Sequence, residues 1–347
     1  MRRQLGAHLE MWRPYTLAYA GLVGLAGAAL AAPGPVPGTA VDPPGWRFVG
    51  AWAVPTLGWL GGLYGGDYFD RELDATAKPH RPIPSGRVRP GTARAAMVCC
   101  VSAGGVLAVA LNWRTVLLVG VALAGGIAYS TWFKARGLSG NLVRGGLTAG
   151  AFLFGTMAVT DYPPAWLLPA AAFFWLHDAG SNLVGTLRDL DGDRRGGYGT
   201  LPVRRGVRTA LGCIALLYVS WLAIAVALPV IARSGGAATG GAGQLAGYAA
   251  LLGTAAVLGL AVLVLLVRAP APPPPRVALG AHEVLVVERV ILAGALLALG
   301  AGAAFALPLV AAGTGATWLA QHLMRERYEF ASPVPPAGRR LQTVRNP

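Results

Sequence analysis

Long apolar stretches separated by short polar segments run through most of the chain. Each stretch is close to the roughly 20 residues that a helix needs to cross the hydrocarbon core of a bilayer. Nine spans fall at about 14–32, 47–66, 92–112, 114–131, 140–159, 164–187, 208–232, 244–267 and 290–311. The pattern therefore predicts an all-α membrane protein whose fold is a nine-helix transmembrane bundle.

The composition agrees with this pattern. The 347 residues are 54% hydrophobic and 13% charged, which is typical of a multi-pass membrane protein and not of a soluble domain. We expect an N-terminal segment at 1–13, one transmembrane domain at 14–311 and a C-terminal tail at 312–347. Residues 312–324 look too short to form a further span, and we expect disorder beyond residue 331.

The net charge of +14 is distributed unevenly between the two sides of the predicted bundle. With the N-terminus in the cytoplasm, the segments on that side hold most of the arginines, whereas the opposite loops hold Arg47, Arg114 and Arg233. This positive-inside bias predicts that the N-terminus and both aspartate-rich loops are cytoplasmic, and it explains the basicity without nucleic acid. We expect the membrane to be the plasma membrane. Nine spans place the arginine-rich tail on the opposite side, in conflict with the bias.

Aspartates gather directly after two of the apolar stretches. The first cluster consists of Asp67, Asp70 and Asp74, and the second consists of Asp189 and Asp193. On a helix with 100° per residue, the first three lie within about 60° of one another, and the second two differ by about 40° if the helix continues. Glu72 and Asp191 point away from these faces and are left out of the predicted site.

Carboxylates beside hydrocarbon are costly, so a ligand that offsets the cost is expected. Oxygen ligands of this kind suit Mg²⁺, and two facing stripes could hold two or three ions that share phosphate oxygens. The alternative is that the acids are solvated charges at helix ends, paired with nearby arginines. Two clusters in matching positions favour the metal site.

Basic residues near the clusters have the chemistry to bind phosphate. Lys78 and Lys134 are the only lysines among 29 basic residues. Lys78 and Arg81 lie in a loop at 78–87 that three prolines stiffen, and Lys134 follows the fourth predicted span. All three could pair with phosphate oxygens. The alternative is that they are ordinary positive-inside residues.

One face of the sixth predicted helix carries polar residues from the membrane interior to the second cluster. These residues are Asp178, Asn182, Gly185 and Asp189. An intramembrane carboxylate such as Asp178 indicates function, as an acceptor contact or a base, although a packing hydrogen bond to Asn141 or Asn182 is the alternative. His177 points about 100° away and is expected to be structural. Aromatic residues that could line a chamber and stabilise a cation are Phe173, Phe174, Trp175, Tyr129 and Trp132.

With these motifs, the sequence resembles the UbiA superfamily of intramembrane prenyltransferases, whose motifs are Asn-Asp-x-x-Asp-x-x-x-Asp and Asp-x-x-x-Asp. Asp67, Asp70 and Asp74 match the first motif, and Asp189 and Asp193 match the second. The Lys-Pro-x-Arg-Pro-x-x-Ser-Gly loop at 78–86 and the segment from Tyr129 to Lys134 are also similar to the family's pattern. The resemblance covers about residues 10–310. Gly66 departs from the family, because it stands where the first motif begins with Asn.

The resemblance implies a nine-helix bundle around a chamber that is open to lipid. It implies that members use Mg²⁺ to transfer an isoprenoid from its diphosphate. The five motif aspartates are the expected metal ligands and catalytic residues. Lys78, Arg81, Lys134 and Asn182 are expected to bind the diphosphate, and Asp178 is the candidate base that removes a proton.

The expected reaction is transfer to an aromatic acceptor similar to 4-hydroxybenzoate, in quinone or specialised metabolism. A membrane terpene cyclase is the first alternative, because cyclisation begins with the same ionisation. Other branches of the superfamily use a sugar phosphate, a chlorin or a glycerol-based lipid as acceptor. A cation-coupled transporter is a third reading, but the acids lie at the membrane edge and not at its midplane.

Overall fold

The computed structural model describes residues 2–32, 45–236 and 241–329, and helices dominate all three ranges. Ten of the described helices have 13 residues or more: α2 (Leu17–Ala31), α3 (Gly45–Phe69), α5 (Pro90–Leu111), α6 (Val116–Ala128), α7 (Ser139–Val159), α8 (Leu168–Arg188), α11 (Val207–Ser234), α12 (Ala242–Arg268), α13 (Pro275–Ala301) and α14 (Ala303–Ala320). The shorter ones are α1 (Arg2–Trp12), α4 (Arg71–Ala77), α9 (Leu190–Arg195), α10 (Leu201–Arg205) and α15 (Glu326–Glu329).

Tighter and wider helical turns join several of these helices. The 3₁₀ turns lie at Pro14–Thr16, Trp113–Thr115 and Ala165–Leu167, and the π-helical turns lie at Tyr129–Phe133 and Gln321–Arg325. The strands β1 (Arg136–Gly137) and β2 (Gly199–Thr200) pair in parallel, with Arg136 opposite Gly199. This pairing ties the loop after the first π-helical turn to the loop after α9.

Eight helical segments of the described chain are long and apolar enough to cross a membrane. They are Gln4–Ala31, Pro90–Leu111, Trp113–Phe133, Ser139–Val159, Val207–Ser234, Ala242–Arg268, Pro275–Ala301 and Ala303–Arg325. The helices α3 and α8 are not among these eight, but with 25 and 21 residues they are also long enough to span. The chain is therefore a multi-pass membrane protein with an all-α bundle, as the sequence predicts.

The helices coincide with the first eight predicted spans, but the ninth is placed differently. The predicted span 290–311 falls across the junction between α13 and α14, so the domain boundary drawn at residue 311 lies inside α14. Gly302 makes the break with a φ of 89°, a conformation that side chains with a Cβ rarely adopt. A uniform apolar run hides this break from a hydropathy pattern. The disorder expected beyond residue 331 lies outside the described residues.

The tenth long helix brings the end of the described chain back to the acidic clusters. Tyr328 donates a hydrogen bond to Asp67, and Glu329 forms an ion pair with Lys78. The segment after α14 therefore lies at the same end of the bundle as the aspartates. The nine-span prediction placed the tail at the opposite end, and the described part of the tail, up to Glu329, does not lie there.

Helix α13 forms the centre of the bundle, and the neighbouring helices approach one another at glycines. It packs against α2, α8, α12 and α14. On the other side of α2, a Cβ on Gly155 of α7 would lie 2.0 Å from the carbonyl oxygen of Gly24. Small residues of this kind allow close helix contact in lipid, where packing replaces the hydrophobic effect between helices.

Candidate active site

A chamber with a volume of about 490 Å³ lies among α2, α3, α5 to α8 and α13. Both acidic clusters contribute to its wall, through Asp70 from the first and through Asp189 and Asp193 from the second. Apolar side chains form the wall on the side of α5 and α6, namely Met97, Val101, Leu118, Val119 and Leu123. The chamber thus combines an acidic end with an apolar wall on the side of α5 and α6.

The first cluster lies where a long helix gives way to a short one. Helix α3 ends at Phe69, and Asp70 occupies the N-cap position of α4. The backbone N–H of Asp70 donates to the carbonyl oxygen of Gly66 (2.9 Å), and that of Asp74 donates to Asp70 (2.8 Å). These bonds preserve the helical i to i+4 relation through the break. The three acids therefore stay on one side of the chain.

The second cluster repeats this arrangement at the end of α8. Asp189 occupies the N-cap position of α9, its N–H donates to Gly185 (3.1 Å), and the N–H of Asp193 donates to Asp189 (2.8 Å). The long helix does not continue through the cluster, but the spacing of four residues still keeps both acids on one face. The two clusters occupy equivalent places after α3 and α8, as the sequence predicts.

Each acid of the first cluster is paired with a basic side chain. The pairs are Asp67 with Arg13, Asp70 with Lys134, and Asp74 with Arg81, whose Nη1 lies 2.9 and 3.0 Å from the two carboxylate oxygens. Burial raises the pKa of Asp74, and the opposing effect of Arg81 is smaller. Burial alone would lower the pKa of Lys134, but Asp70 outweighs it and holds the ammonium charged.

The two acids of the second cluster differ in their electrostatic environment. Asp189 receives Nη2 of Arg188 at 2.6 Å and Nζ of Lys78 at 3.5 Å. Burial opposes ionisation there, but Arg188 and then Lys78 outweigh it and lower the pKa of Asp189 well below its usual range. Asp193 accepts a hydrogen bond from Thr200 (3.1 Å), and burial together with Asp189 raises its pKa to about 7. Asp193 is therefore a buried carboxyl group whose ionised form a nearby cation would stabilise.

Glu329 places a carboxylate among the basic residues of the site. Its oxygens lie 2.8 Å from Nζ of Lys78, 3.0 Å from Nη1 of Arg188 and 3.8 Å from Nη2 of Arg81. Burial would raise the pKa of Glu329, but Arg188, Lys78 and Arg81 together hold it well below its usual range. The three cations thus form a ready-made anion site at the acidic end of the chamber, and an internal carboxylate occupies it.

Tyr328 lies beside Glu329 and contacts residues of the first cluster and their basic partners. Its hydroxyl donates to Oδ1 of Asp67 (3.1 Å) and accepts a hydrogen bond from Arg13. The guanidinium groups of Arg13 and Arg81 lie 4.8 and 4.5 Å from the centre of its ring. The backbone carbonyl of Tyr328 is 3.0 Å from Nε2 of His80. The segment after α14 is therefore held by the first cluster and by the proline-stiffened loop.

The polar face of α8 lines the chamber as the spacing predicts. Asp178, Asn182, Gly185 and Asp189 all contribute to the wall. Oδ2 of Asp178 accepts a hydrogen bond from Thr148 (2.9 Å), and Oδ1 lies 3.5 Å from Nη1 of Arg289. Asn182 accepts from Asn141 (2.9 Å). The packing hydrogen bond that the sequence left open therefore joins Asn141 to Asn182, and Asp178 pairs elsewhere.

The residues that the sequence analysis leaves out of the site lie outside the chamber wall. Glu72 and Asp191 are exposed, with Arg71 and Arg194 as partners. His177 contacts Glu288 at 2.7 Å, and both side chains are buried in the bundle.

Among the aromatic residues proposed for the chamber, Tyr129 lines it, whereas Phe173 and Phe174 are core residues and Trp132 and Trp175 are exposed. The other aromatic residues that line the chamber are Tyr15, Tyr19, Trp59, Phe69, Phe154 and Tyr328.

Several residues of the site have no counterpart in the predicted set. They are Arg13, Arg188, Arg289, Thr200, Tyr328 and Glu329. Arg188 directly precedes Asp189, so its place in the motif was a usable signal. Tyr328 and Glu329 reach the site only because α14 returns the chain, and a prediction with nine spans could not find them.

The acidic residues have the chemistry of a Mg²⁺ site, although carboxylates do not converge on one point. Within the described part of the chain, no three His, Cys, Asp or Glu side chains form a metal-binding group, and the acids are instead paired with cations. Oδ2 of Asp67 is buried without a hydrogen-bond partner, and Asp193 has no basic partner within ion-pair distance in the same described residues. Both groups, and the all-oxygen donor set, fit a hard divalent cation.

Comparisons with known proteins agree with this arrangement. A family model described as the UbiA prenyltransferase family matches residues 20–280. The digeranylgeranylglyceryl phosphate synthase of Hyperthermus butylicus is 33% identical over 220 residues, which cover 60% of this chain and 71% of that protein. The synthase of the same name from Methanopyrus kandleri is 32% identical over 229 residues, which cover 65% of this chain and 79% of that protein.

The fold is also similar to solved structures. The structure of a UbiA homologue from Archaeoglobus fulgidus bound to GPP and Mg²⁺ aligns with a TM-score of 0.62 at 14% identity. The alignment covers 88% of this chain and 99% of that one. At this identity the likeness concerns the fold alone.

Proposed function

Because this chain belongs to the UbiA prenyltransferase family, we propose that it transfers an isoprenyl group from its diphosphate to a hydroxyl group of a glyceryl phosphate lipid. The observation that carries the proposal is the anion site of Lys78, Arg81 and Arg188 beside the acidic clusters. Such a site suits a diphosphate, because bidentate arginine and a lysine point charge both favour phosphate oxygens. The apolar wall formed by α5 and α6 suits the isoprenyl chain.

The names of the relatives guide the choice of acceptor. They describe synthases of digeranylgeranylglyceryl phosphate, a glyceryl phosphate that carries two geranylgeranyl groups. None of these names refers to an aromatic acceptor, so the aromatic acid expected from the sequence has no support from these relatives. We therefore propose a glyceryl phosphate with one isoprenyl group as acceptor, and we keep the aromatic acid as an outcome of the experiment.

The proposed reaction breaks the bond between C1 of the isoprenyl group and the diphosphate oxygen. The diphosphate leaves with the electron pair, and Lys78, Arg81 and Lys134 stabilise the negative charge that develops on it. The apolar wall keeps water away from the allylic carbon. The acceptor oxygen then bonds to C1, and its proton passes to a base, for which Asp178 is the candidate in the chamber wall.

Mg²⁺ is proposed as the cofactor because a family member of the same fold binds it together with a prenyl diphosphate. Asp67, Asp70, Asp74, Asp189 and Asp193 would hold the metal. When bound, it would supply Lewis-acid stabilisation to the diphosphate oxygens. The carboxylates are now paired with Arg13, Lys134 and Arg188, and they would give up part of these contacts to hold the metal.

We also propose that the acidic end of the bundle faces the cytoplasm and that the protein lies in the plasma membrane. The basic residues concentrate at this end, in agreement with the positive-inside rule. A cysteine placed at the exposed position Glu72, in a chain whose native cysteines are replaced, tests the orientation. A membrane-impermeant maleimide should label it in inside-out vesicles and not in intact cells.

The direct test is a transfer assay with the protein in lipid vesicles. Geranylgeranyl diphosphate and Mg²⁺ are supplied with a singly prenylated glyceryl phosphate, with 4-hydroxybenzoate, or without acceptor, and diphosphate and lipid products are measured. We expect diphosphate release that depends on the glyceryl phosphate. Diphosphate release only with 4-hydroxybenzoate would show that the acceptor is the aromatic acid and not the glyceryl phosphate. Formation of a cyclic hydrocarbon without acceptor would identify a cyclase.

A further inference from the structure

The chamber contains a second group of charged residues, deeper than the aspartate clusters. It consists of Arg144 from α7, Asp178 from α8 and Arg289 from α13, and we call it the inner charged group. Trp59, which contacts Arg144, precedes Asp67 by eight residues of α3, or about 12 Å along the helix axis. Asp178 precedes Asp189 by eleven residues of α8, or about 16 Å. The two charged regions are therefore separated along the bundle.

The inner charged group has more positive than negative charge. Asp178 is matched by Arg289, which also donates a hydrogen bond to Ser181 (3.2 Å). Arg144 has no carboxylate within ion-pair distance in the described part of the chain, and its guanidinium lies 3.9 Å from the centre of the Trp59 ring. A contact with the face of an indole leaves the N–H donors of an arginine available.

Among the described residues, the side chain of Arg144 makes no hydrogen bond or ion pair, whereas its neighbours on α7 do. Asn141 lies about one turn before it and bonds to Asn182, and Thr148 lies about one turn after it and bonds to Asp178. Arg144 stands between these two hydrogen bonds and lines the same chamber. A charged arginine at membrane depth is costly, and a bound anion offsets this cost.

We propose that Arg144 binds the phosphate group of the acceptor. This inference rests on the proposed function, in which the two substrates bring only two anionic groups. The diphosphate of the donor fits Lys78, Arg81 and Arg188, and the isoprenyl chains carry no charge. The phosphate of the acceptor is the group left for Arg144, and two separate basic regions keep two like-charged groups apart.

The experiment compares Arg144→Gln and Arg144→Lys with the wild type in lipid vesicles. We expect Arg144→Gln to raise the KM for the singly prenylated glyceryl phosphate by about 10- to 100-fold, the usual effect of losing a charge-assisted hydrogen bond. The KM for geranylgeranyl diphosphate should not change, and a singly prenylated glycerol without phosphate should be used equally by all variants. Arg144→Lys should recover part of the affinity. Arg136→Gln is the control, since Arg136 also lies over a tryptophan, at 4.6 Å from the Trp132 ring, but is exposed.

An equal effect on the charged and neutral acceptors, or a higher KM for the donor alone, would overturn the inference. If the wild type uses no glyceryl phosphate at all, the proposed function fails instead. Binding of the glyceryl phosphate to wild type and Arg144→Gln without donor, measured by calorimetry, separates the two cases because it requires no turnover.

A different observation carries a second inference, which concerns the segment after α14. We infer that Tyr328 and Glu329 form an internal inhibitor that the diphosphate of the donor must displace. The Glu329 side chain is 7% exposed and neutralises part of the charge of Lys78, Arg81 and Arg188. An incoming diphosphate needs the same three cations, so the two anions compete for one site. Tyr328 adds to the competition because its hydroxyl is hydrogen-bonded to Arg13 and to Asp67, which is a proposed metal ligand.

Binding of inorganic pyrophosphate with Mg²⁺ tests this competition without any acceptor. Glu329→Gln should tighten pyrophosphate binding about tenfold, and Tyr328→Phe should tighten it less. Glu72→Gln removes an exposed carboxylate beside Arg71 and should leave the affinity unchanged. Weaker binding in Glu329→Gln would show that Glu329 belongs to the donor or metal site, and unchanged binding would show that it does not compete. Either result would overturn the inference.

Discussion

The ammonium group of Lys78 lies 3.5 Å from Asp189, so the loop after the first acidic cluster reaches the second cluster. Lys134 makes a similar connection, because it pairs with Asp70 and its charge also acts on Asp193. Each of the only two lysines of the sequence thus pairs with an acid of the clusters, Lys78 with Asp189 and Lys134 with Asp70. Neither cluster can be understood as an isolated group of solvated charges.

This connection predicts that one acid from each cluster is indispensable. Asp70→Asn and Asp189→Asn should each lower kcat by about 100-fold or more, because each removes a proposed metal ligand and a charged partner of a lysine or arginine. Initial rates in vesicles measure the loss, and size-exclusion chromatography shows whether the variant is folded. Asp191→Asn is the matched control, since Asp191 belongs to the same motif but is exposed. Full activity of either test variant would remove that residue from the site.

The lysines should act mainly on the donor. Lys78→Met and Lys134→Met should raise the KM for the prenyl diphosphate by about 10- to 100-fold, because a hydrogen bond to a charged group contributes about 1.5–3 kcal/mol. The KM for the acceptor should stay within about twofold. Arg194→Gln, at an exposed position of the second motif, should behave as wild type. A loss of affinity for the acceptor alone would show that these lysines bind the acceptor and not the prenyl diphosphate.

Removal of divalent metal should abolish turnover and weaken diphosphate binding. Among the described residues, Oδ2 of Asp67 has no hydrogen-bond partner and Asp193 has no basic partner within ion-pair distance, so these groups gain most from a bound metal. After treatment with EDTA, we expect the rate to fall to background and Mg²⁺ to restore it. The thermal midpoint should rise with Mg²⁺ and pyrophosphate together, and by less with either alone. Turnover that survives complete chelation would contradict the metal-dependent reaction.

The sequence was sufficient to predict the parts of the site that follow from local periodicity. Asp67, Asp70 and Asp74 share a side because a spacing of three or four residues persists through the break after α3, and the same holds for Asp189 and Asp193. The exclusion of Glu72 and Asp191 follows from the same geometry. The face of α8 that carries Asp178 and Asn182 was also readable in this way.

The parts that escaped prediction depend on contacts between distant segments. The break at Gly302 lies inside a continuous apolar run, so hydropathy could not separate α13 from α14. Without α14, the return of Tyr328 and Glu329 to the aspartates was invisible. The pairing of Asp178 with Arg289 also depends on how α8 packs against α13, and no local pattern encodes that contact.

Gly66 offers a test of the departure from the family motif. A Cβ at residue 66 would meet no atom within 4 Å, and Gly66 lines the chamber, so Gly66→Asn should fold with an unchanged thermal midpoint and retain activity. Gly155→Ala is the contrasting variant, because its Cβ would lie 2.0 Å from the carbonyl oxygen of Gly24. Overpacking of this kind costs about 1–3 kcal/mol or more, so its midpoint should fall by several degrees. A destabilised Gly66→Asn would show that residue 66 lacks this space.

Asp178 provides the sharpest test of how the acceptor is activated. If it takes the proton from the acceptor hydroxyl, Asp178→Asn should lower kcat by about 100-fold and leave the KM for the donor unchanged, within the usual range for loss of a general base. Thr148→Val removes only the hydrogen bond to Asp178 and should cost much less, since the carboxylate and its contact with Arg289 remain. Single-turnover rates separate this loss in the chemical step from slow release of product. If both variants lose the same activity and also lose thermal stability, Asp178 serves the packing of α7, α8 and α13, and the base must be another group.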